Sequence, residues 1–157
     1  MPDLEDMRTF AARLVERRNR AALLLTPDLA GQQSYAAQLA QVLGATHLDV
    51  LTRFQEDGTL LSRLSTFSFD DLLNLISEHR DRRLAVVSGI EFLLGAWLSQ
   101  GESKQVKRSV CEKIELWQQS PAFILVTHED PVFSAFQPER FPGTQVVLHT
   151  SETLALE

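Results

Sequence analysis

No lysine precedes Lys104; every basic group before it is an arginine or a histidine. A site built in the first two thirds of the chain therefore has no ammonium group of its own. Cysteine is nearly as scarce. Cys111 stands alone, which excludes an internal disulfide and fits a reducing compartment. No apolar run reaches the length of a membrane-spanning helix, and no basic segment leads into an apolar one at the amino end. The expected localisation is cytoplasmic, with no membrane partner. Positive charge is in deficit too: the formal net charge is −6, which argues against nucleic-acid binding over a broad surface. Repeats, low-complexity tracts and linkers are absent, and 157 residues fit one domain.

What is present alternates between two patterns. Apolar residues at helical spacing (Leu4, Met7, Phe10, Ala11, Leu14, Val15) predict a helix over 4–18, with Asp3 as its cap. Ala21 to Leu25 is a continuous apolar run, as expected of a strand buried on both faces of a parallel sheet. A helix with Tyr35, Ala36, Leu39, Ala40 and Leu43 follows and stops at Gly44. A strand is expected over 47–51, and an irregular stretch with an Asp57-Gly58 turn over 55–68. Ser68 then caps a helix that opens with Asp70 and Asp71. Leu84–Val87 reads as a buried strand and Ile90–Leu98 as a short apolar helix, with Trp97 either a core residue or a partner anchor. Over 104–118 the spacing predicts an amphipathic helix, with Val106, Val110, Ile114 and Trp117 inside. Lys104, Lys107, Arg108, Glu112, Lys113 and Glu115 are expected outside. Strands at 122–127 and 145–149 complete an α/β layered fold with a mainly parallel sheet of about five strands.

Ligands of such sheets bind at the carboxyl ends of strands, which directs attention to three segments. After the first strand stands "TPDLAGQQS". A phosphate loop reads G-x-x-x-x-G-K-[ST]: backbone N–H groups and a helix N-terminus surround the phosphates, and the lysine supplies charge. One register places Gly31 as second glycine, Gln32 as lysine and Gln33 as Ser/Thr. The other makes Gln33 the lysine and Ser34 the magnesium ligand. Both lack the lysine, and a glutamine amide brings no charge, so the stretch is either a remnant phosphate loop or an ordinary strand-to-helix turn. After the second segment's strand comes "VVSGIEFLL". Ser88 occupies the place where phosphoryl-transfer sites hold a magnesium-organising aspartate. Glu91 is a general base or simply the first carboxylate of a helix. After the third, in "THEDP", Thr127 or His128 is placed to sense a phosphate or to lie in a capped loop. No metal site follows from these residues, and no cofactor except Mg-ATP through the loop's likeness.

Together these strand ends resemble the AAA+ class of P-loop ATPases over roughly residues 1–149. The resemblance implies a single P-loop NTPase-like domain over 1–157, a three-layer sandwich with residues 1–20 as a helix packed on it and no lid domain. It also implies an arginine finger, for which Arg140 in "FQPERFPGTQVVLH" is the candidate; the alternative for Arg140 is a surface turn. Within that class "VVSGIEFLL" is similar to the small P-loop protein of type 3 bacteriophage-exclusion (BREX) defence systems, though the aspartate before Ile-Glu is absent. With both charged groups missing, the resemblance implies a non-catalytic interaction subunit, or adaptor, of an antiviral defence or other DNA-related complex. The alternatives are a weak composite ATPase completed by a neighbouring subunit, as a homo-oligomer or within a larger ATPase complex, and a small α/β signalling or adaptor domain with no nucleotide history.

Overall fold

The computed structural model describes residues 4–27, 31–99, 101–142 and 144–149, with side chains from Met7 onward. The proposed Asp3 cap and residues 28–30 of the glutamine loop lie outside the described residues. Five strands form one all-parallel sheet: β1 (Ala21–Thr26), β2 (Thr46–Asp49), β3 (Leu84–Ser88), β4 (Ala122–His128) and β5 (Val147–His149), in the order β2-β3-β4-β1-β5. Among the described residues there are eight α-helices. These are α1 (Leu4–Leu14), α2 (Gln32–Leu43), α3 (Val50–Glu56), α4 (Gly58–Ser62), α5 (Phe69–Ser77), α6 (Glu91–Leu98), α7 (Ser103–Glu115) and α8 (Pro131–Ser134).

Every residue of β1 and β3 is buried, as their unbroken apolar runs require of strands covered on both faces. Alternation divides them between two cores. Ala22, Leu24, Val86 and Ile124 pack with Met7, Ala11 and Leu14 of α1 and Ala36, Leu39 and Ala40 of α2. Ala21, Leu23, Leu25, Val87 and Phe123 pack on the other side with apolar residues of α3 through α8. The result is a three-layer α/β sandwich.

The chain crosses from β1 to β2 with α2 on one face, then returns through β3, β4 and β5 with its helices on the opposite face. Reversing direction and face together keeps every crossover the same hand, as the right-handed rule demands. It also makes adjacent strands β1 and β4 send their connections to opposite faces. The gap between their carboxyl ends is the topological switch point of the sheet, where folds of this kind form their binding crevice.

Local rules explain where the elements stop. Gly44 takes the left-handed conformation (φ 64°), and the cap N–H groups return to Ala40 and Gln41 carbonyls. Ser68 and Asp71 form a reciprocal capping box at α5. Asn19, 1% exposed, donates from Nδ2 to the carbonyls of Ile114 and Glu115 at 2.9 and 2.7 Å, satisfying the end of α7.

Several expectations need correction. The first helix ends at Leu14, and the second strand ends at Asp49 because its side chain accepts the Thr52 N–H and starts α3. The stretch 55–68 is mostly helical. Asp57 accepts from the N–H groups of Thr59 and Leu60, so "DG" is a helix cap and first residue where a turn was expected. A 3₁₀ turn, Leu64–Thr66, follows, and Phe54 meets Phe67 edge-on at 5.0 Å. Of the two readings of Trp97 the core one holds: it is 6% exposed and donates to the Phe67 carbonyl at 2.6 Å. Lys107 and Glu115, expected outside on α7, both turn inward. Glu115 is 2% exposed, and Lys107 pairs with Asp130.

Candidate functional site

The crevice between β1 and β4 is built from Thr26, Gln32 and the 127–129 segment. Thr26 pairs with His128 across the ladder, and its carbonyl accepts the Glu129 N–H at 2.8 Å. Gln32 opens α2, 5% exposed, and its Nε2 donates to Thr26 Oγ1 at 3.1 Å. Thr26 Oγ1 in turn donates to the Thr127 carbonyl at 3.3 Å. The glutamine that stands for the lysine in the first register is thus folded into the crevice and bonded to its wall.

Gln33, its counterpart in the second register, is exposed and donates to Asp49 Oδ2 at 2.5 Å. Ser34 is also exposed, its hydroxyl accepting from Gln38 one turn along α2 at 3.5 Å. Gly31 has φ −98° and no atom within 4 Å of an added Cβ, so no tight approach requires glycine there.

The end of β3 does not converge on this point. Ser88 and Glu91 are three residues apart but serve opposite faces. Ser88 is fully buried on the α2 side, 2.8 Å from His47 Nε2. Glu91 begins α6 on the other side and accepts from Thr127 Oγ1 at 3.3 Å. His128 is exposed. Beyond it, Asp130 caps α8 through the Val132 N–H and pairs with Lys107. Burial would raise the Asp130 carboxyl, but the bonds from Lys107 and the α8 backbone outweigh that and hold it below its ordinary range. Among the described residues, no lysine or arginine bonds to Thr26, Gln32, Gln33, Asp49, Ser88, Glu91 or Thr127, and no three metal-ligating side chains come together.

The Arg140 backbone lies at the amino end of the sheet. Its N–H donates to Glu115 Oε2 at 2.7 Å, and Glu115 is held by Asn19, just ahead of β1. β1 runs six residues, roughly 20 Å, from there to the crevice. Within one molecule Arg140 cannot join the strand-end residues.

Mg-ATP does not fit the groups present. A triphosphate needs compensating charge that the described residues of the crevice do not supply, and Ser88 offers no carboxylate to organise a metal. Asp49 and His47 are the residues that motif reasoning missed. The signal for Asp49 was local, an aspartate three before Thr52 as in any N-cap; for His47, which depends on its strand neighbour, there was none.

No model of a known protein family matches the chain, and none of the curated proteins does either.

His47 gives the site a pH signature. Burial, opposed by the nearby Asp49 charge, lowers its pKa below the ordinary 6.5. The unfolded chain takes up the proton first, so this contribution to stability is present above 6.5 and is lost as pH falls through the folded value. Denaturant melts at pH 7.5 and 5.5 are expected to show a larger loss for the wild type than for His47→Gln. Equal losses would mean that the imidazole is not held neutral against Ser88.

Proposed function

We propose that this chain is a non-catalytic, P-loop ATPase-like interaction subunit. One observation carries the reading: the buried Gln32 amide occupies the switch-point crevice, bonded to Thr26, where a phosphate-binding protein needs a cation. The parallel sheet, the helix that starts directly after β1 and the polar strand ends support the ancestry. The self-satisfied pairs Gln32–Thr26, Gln33–Asp49, Ser88–His47 and Thr127–Glu91 support the loss of chemistry. Phosphoryl transfer rests on positioning and charge stabilisation, and both charged groups are missing. The setting that the sequence resemblance suggests is a bacterial antiviral defence or other DNA-related complex in the cytoplasm.

The test is calorimetric titration with Mg-ATP, Mg-ADP and Mg-GTP at millimolar nucleotide. No binding tighter than about 100 μM, roughly −5.5 kcal/mol, is expected. A fitted constant well below that would overturn the reading. Gln32→Lys alone is expected to leave hydrolysis at background, since Ser88 still provides no metal support; steady-state turnover clearly above wild type would contradict this.

A second reading, a composite ATPase completed by a neighbouring subunit, draws on the exposed Arg140 guanidinium, which has no partner among the described residues. Sedimentation with and without Mg-ATP separates the two. An unchanged mass fits the interaction subunit, and nucleotide-dependent assembly fits the composite enzyme.

A further inference from the structure

Away from the switch point, a cleft of about 420 Å³ lies between α7 and the 132–140 segment. Three cations line it: Lys104 and Arg108, one turn apart on α7, and Arg140 on the facing segment. All three are exposed, and none of their charged groups has a hydrogen-bond or ion partner among the described residues. This is unusual company on a chain of net charge −6. The carboxylate of Glu115 at the base is already satisfied by the N–H groups of Glu139, Arg140 and Phe141. Those bonds fix the backbone that carries Arg140. Glu112 and Glu139 also line the cleft, and their carboxylates accept no hydrogen bond among the described residues.

The apolar part of the wall includes Phe136, Val132 and Leu116. Leu116 is 46% exposed, one of three large hydrophobics so exposed among the described residues. It also lines a second cleft of about 400 Å³ with Trp117 and Leu73, so the two depressions share it as a ridge. An exposed leucine between concave surfaces, flanked by two unpaired arginines, has the composition of a protein interface: apolar anchor inside, guanidinium groups ready for carboxylates.

We infer that this cleft docks a partner-protein segment carrying a carboxylate next to an apolar side chain. The carboxylate pairs with Arg108 and Arg140, the apolar group covers Leu116, and Glu112 and Glu139 receive N–H donors of the segment. Those two carboxylates, with the chain's overall negative charge, disfavour a phosphodiester backbone, which has acceptors only. The inference names the kind of partner for an interaction subunit, yet it stands on the cleft alone. The nucleotide titration reads the strand ends, so the two ideas fail separately.

The experiment is selection of a random 12-residue peptide library on the immobilised full chain. The triple variant Lys104→Glu/Arg108→Glu/Arg140→Glu serves as counter-target and Leu116→Ser as a second variant. None of these four side chains is buried, so circular dichroism and melting should match the wild type; Arg140→Ala replaces the triple variant if it does not. Expected is a consensus with Asp or Glu beside an apolar residue. Resynthesised peptides are expected to bind the cation variant at least tenfold more weakly, and Leu116→Ser more weakly as well. No enrichment over the counter-target, a consensus without acidic residues, or equal affinity for the variants would overturn the inference. So would cation-dependent binding of a labelled oligothymidylate that displaces the peptides, which would make the cleft a nucleic-acid groove.

Discussion

Glu115→Ala is expected to lower the unfolding free energy by about 3 kcal/mol, the sum of leaving three N–H donors without their acceptor. The carboxylate, 2% exposed, accepts from Arg140 and Phe141 at 2.7 Å each and from Glu139 at 3.3 Å. Among the described residues no other side chain bonds to these three N–H groups. The adjoining cleft lets water reach part of the vacated space, which keeps the cost below the full desolvation penalty of three buried donors. For a chain of this size the melting temperature is expected to fall by roughly 6–12 °C. Glu115→Gln retains one acceptor oxygen and is expected to lose about half as much. A thermal melt of Glu115→Ala within about 2 °C of wild type would show that the 139–141 backbone is held by something else.

Gly89→Ala is the second large effect. Gly89 has φ 74°, in the left-handed region, where a side chain costs about 1–2 kcal/mol. An added Cβ would lie 2.5 Å from Asp49 Oδ1 and 3.1 Å from the Leu51 nitrogen. Asp49 would have to swing away, releasing the Thr52 N–H that it caps and the Gln33 amide. Loss of such a cap costs about 1 kcal/mol more, so a total near 3 kcal/mol is expected from denaturant melts. A double-mutant cycle with Asp49→Ala isolates the collision. With that carboxylate gone, Gly89→Ala is expected to cost at least 1 kcal/mol less, the remainder being backbone strain and the Leu51 contact. Strict additivity would place the penalty in the backbone alone.

The difference between these two residues explains how much the sequence reveals. The layered α/β fold was legible because β1, β3 and β4 are buried on both faces and therefore spell continuous apolar runs. Gly44 and Ser68 were legible because their caps act within one turn. Glu115 was not, because by helical spacing it is one more charged residue on the outside of α7, and its three donors come from residues 139–141. Asp49 read as the middle of a strand over 47–51 and Asp57 as part of a turn, and only their side-chain acceptors make them helix starts. At the candidate site Gln32 and Gln33 stood out as substitutes for a lysine. What they do instead depends on Thr26 and Asp49, and the second of these is brought close only by the sheet.

The strand order also constrains when the molecule can form. β1 is a fully buried interior strand of the sheet, yet both its neighbours come late: Ala21 pairs with Phe123, and Leu23 with Val147. On the ribosome, β1 therefore emerges about a hundred residues ahead of its first partner and must wait for it before either edge is covered. Until then it is an unpaired hydrophobic edge of the kind that associates with other chains. Long sequence separation also slows its pairing. A nascent chain arrested before Ala122 would hold β1 without either neighbour, and should be a far better chaperone client than the finished protein.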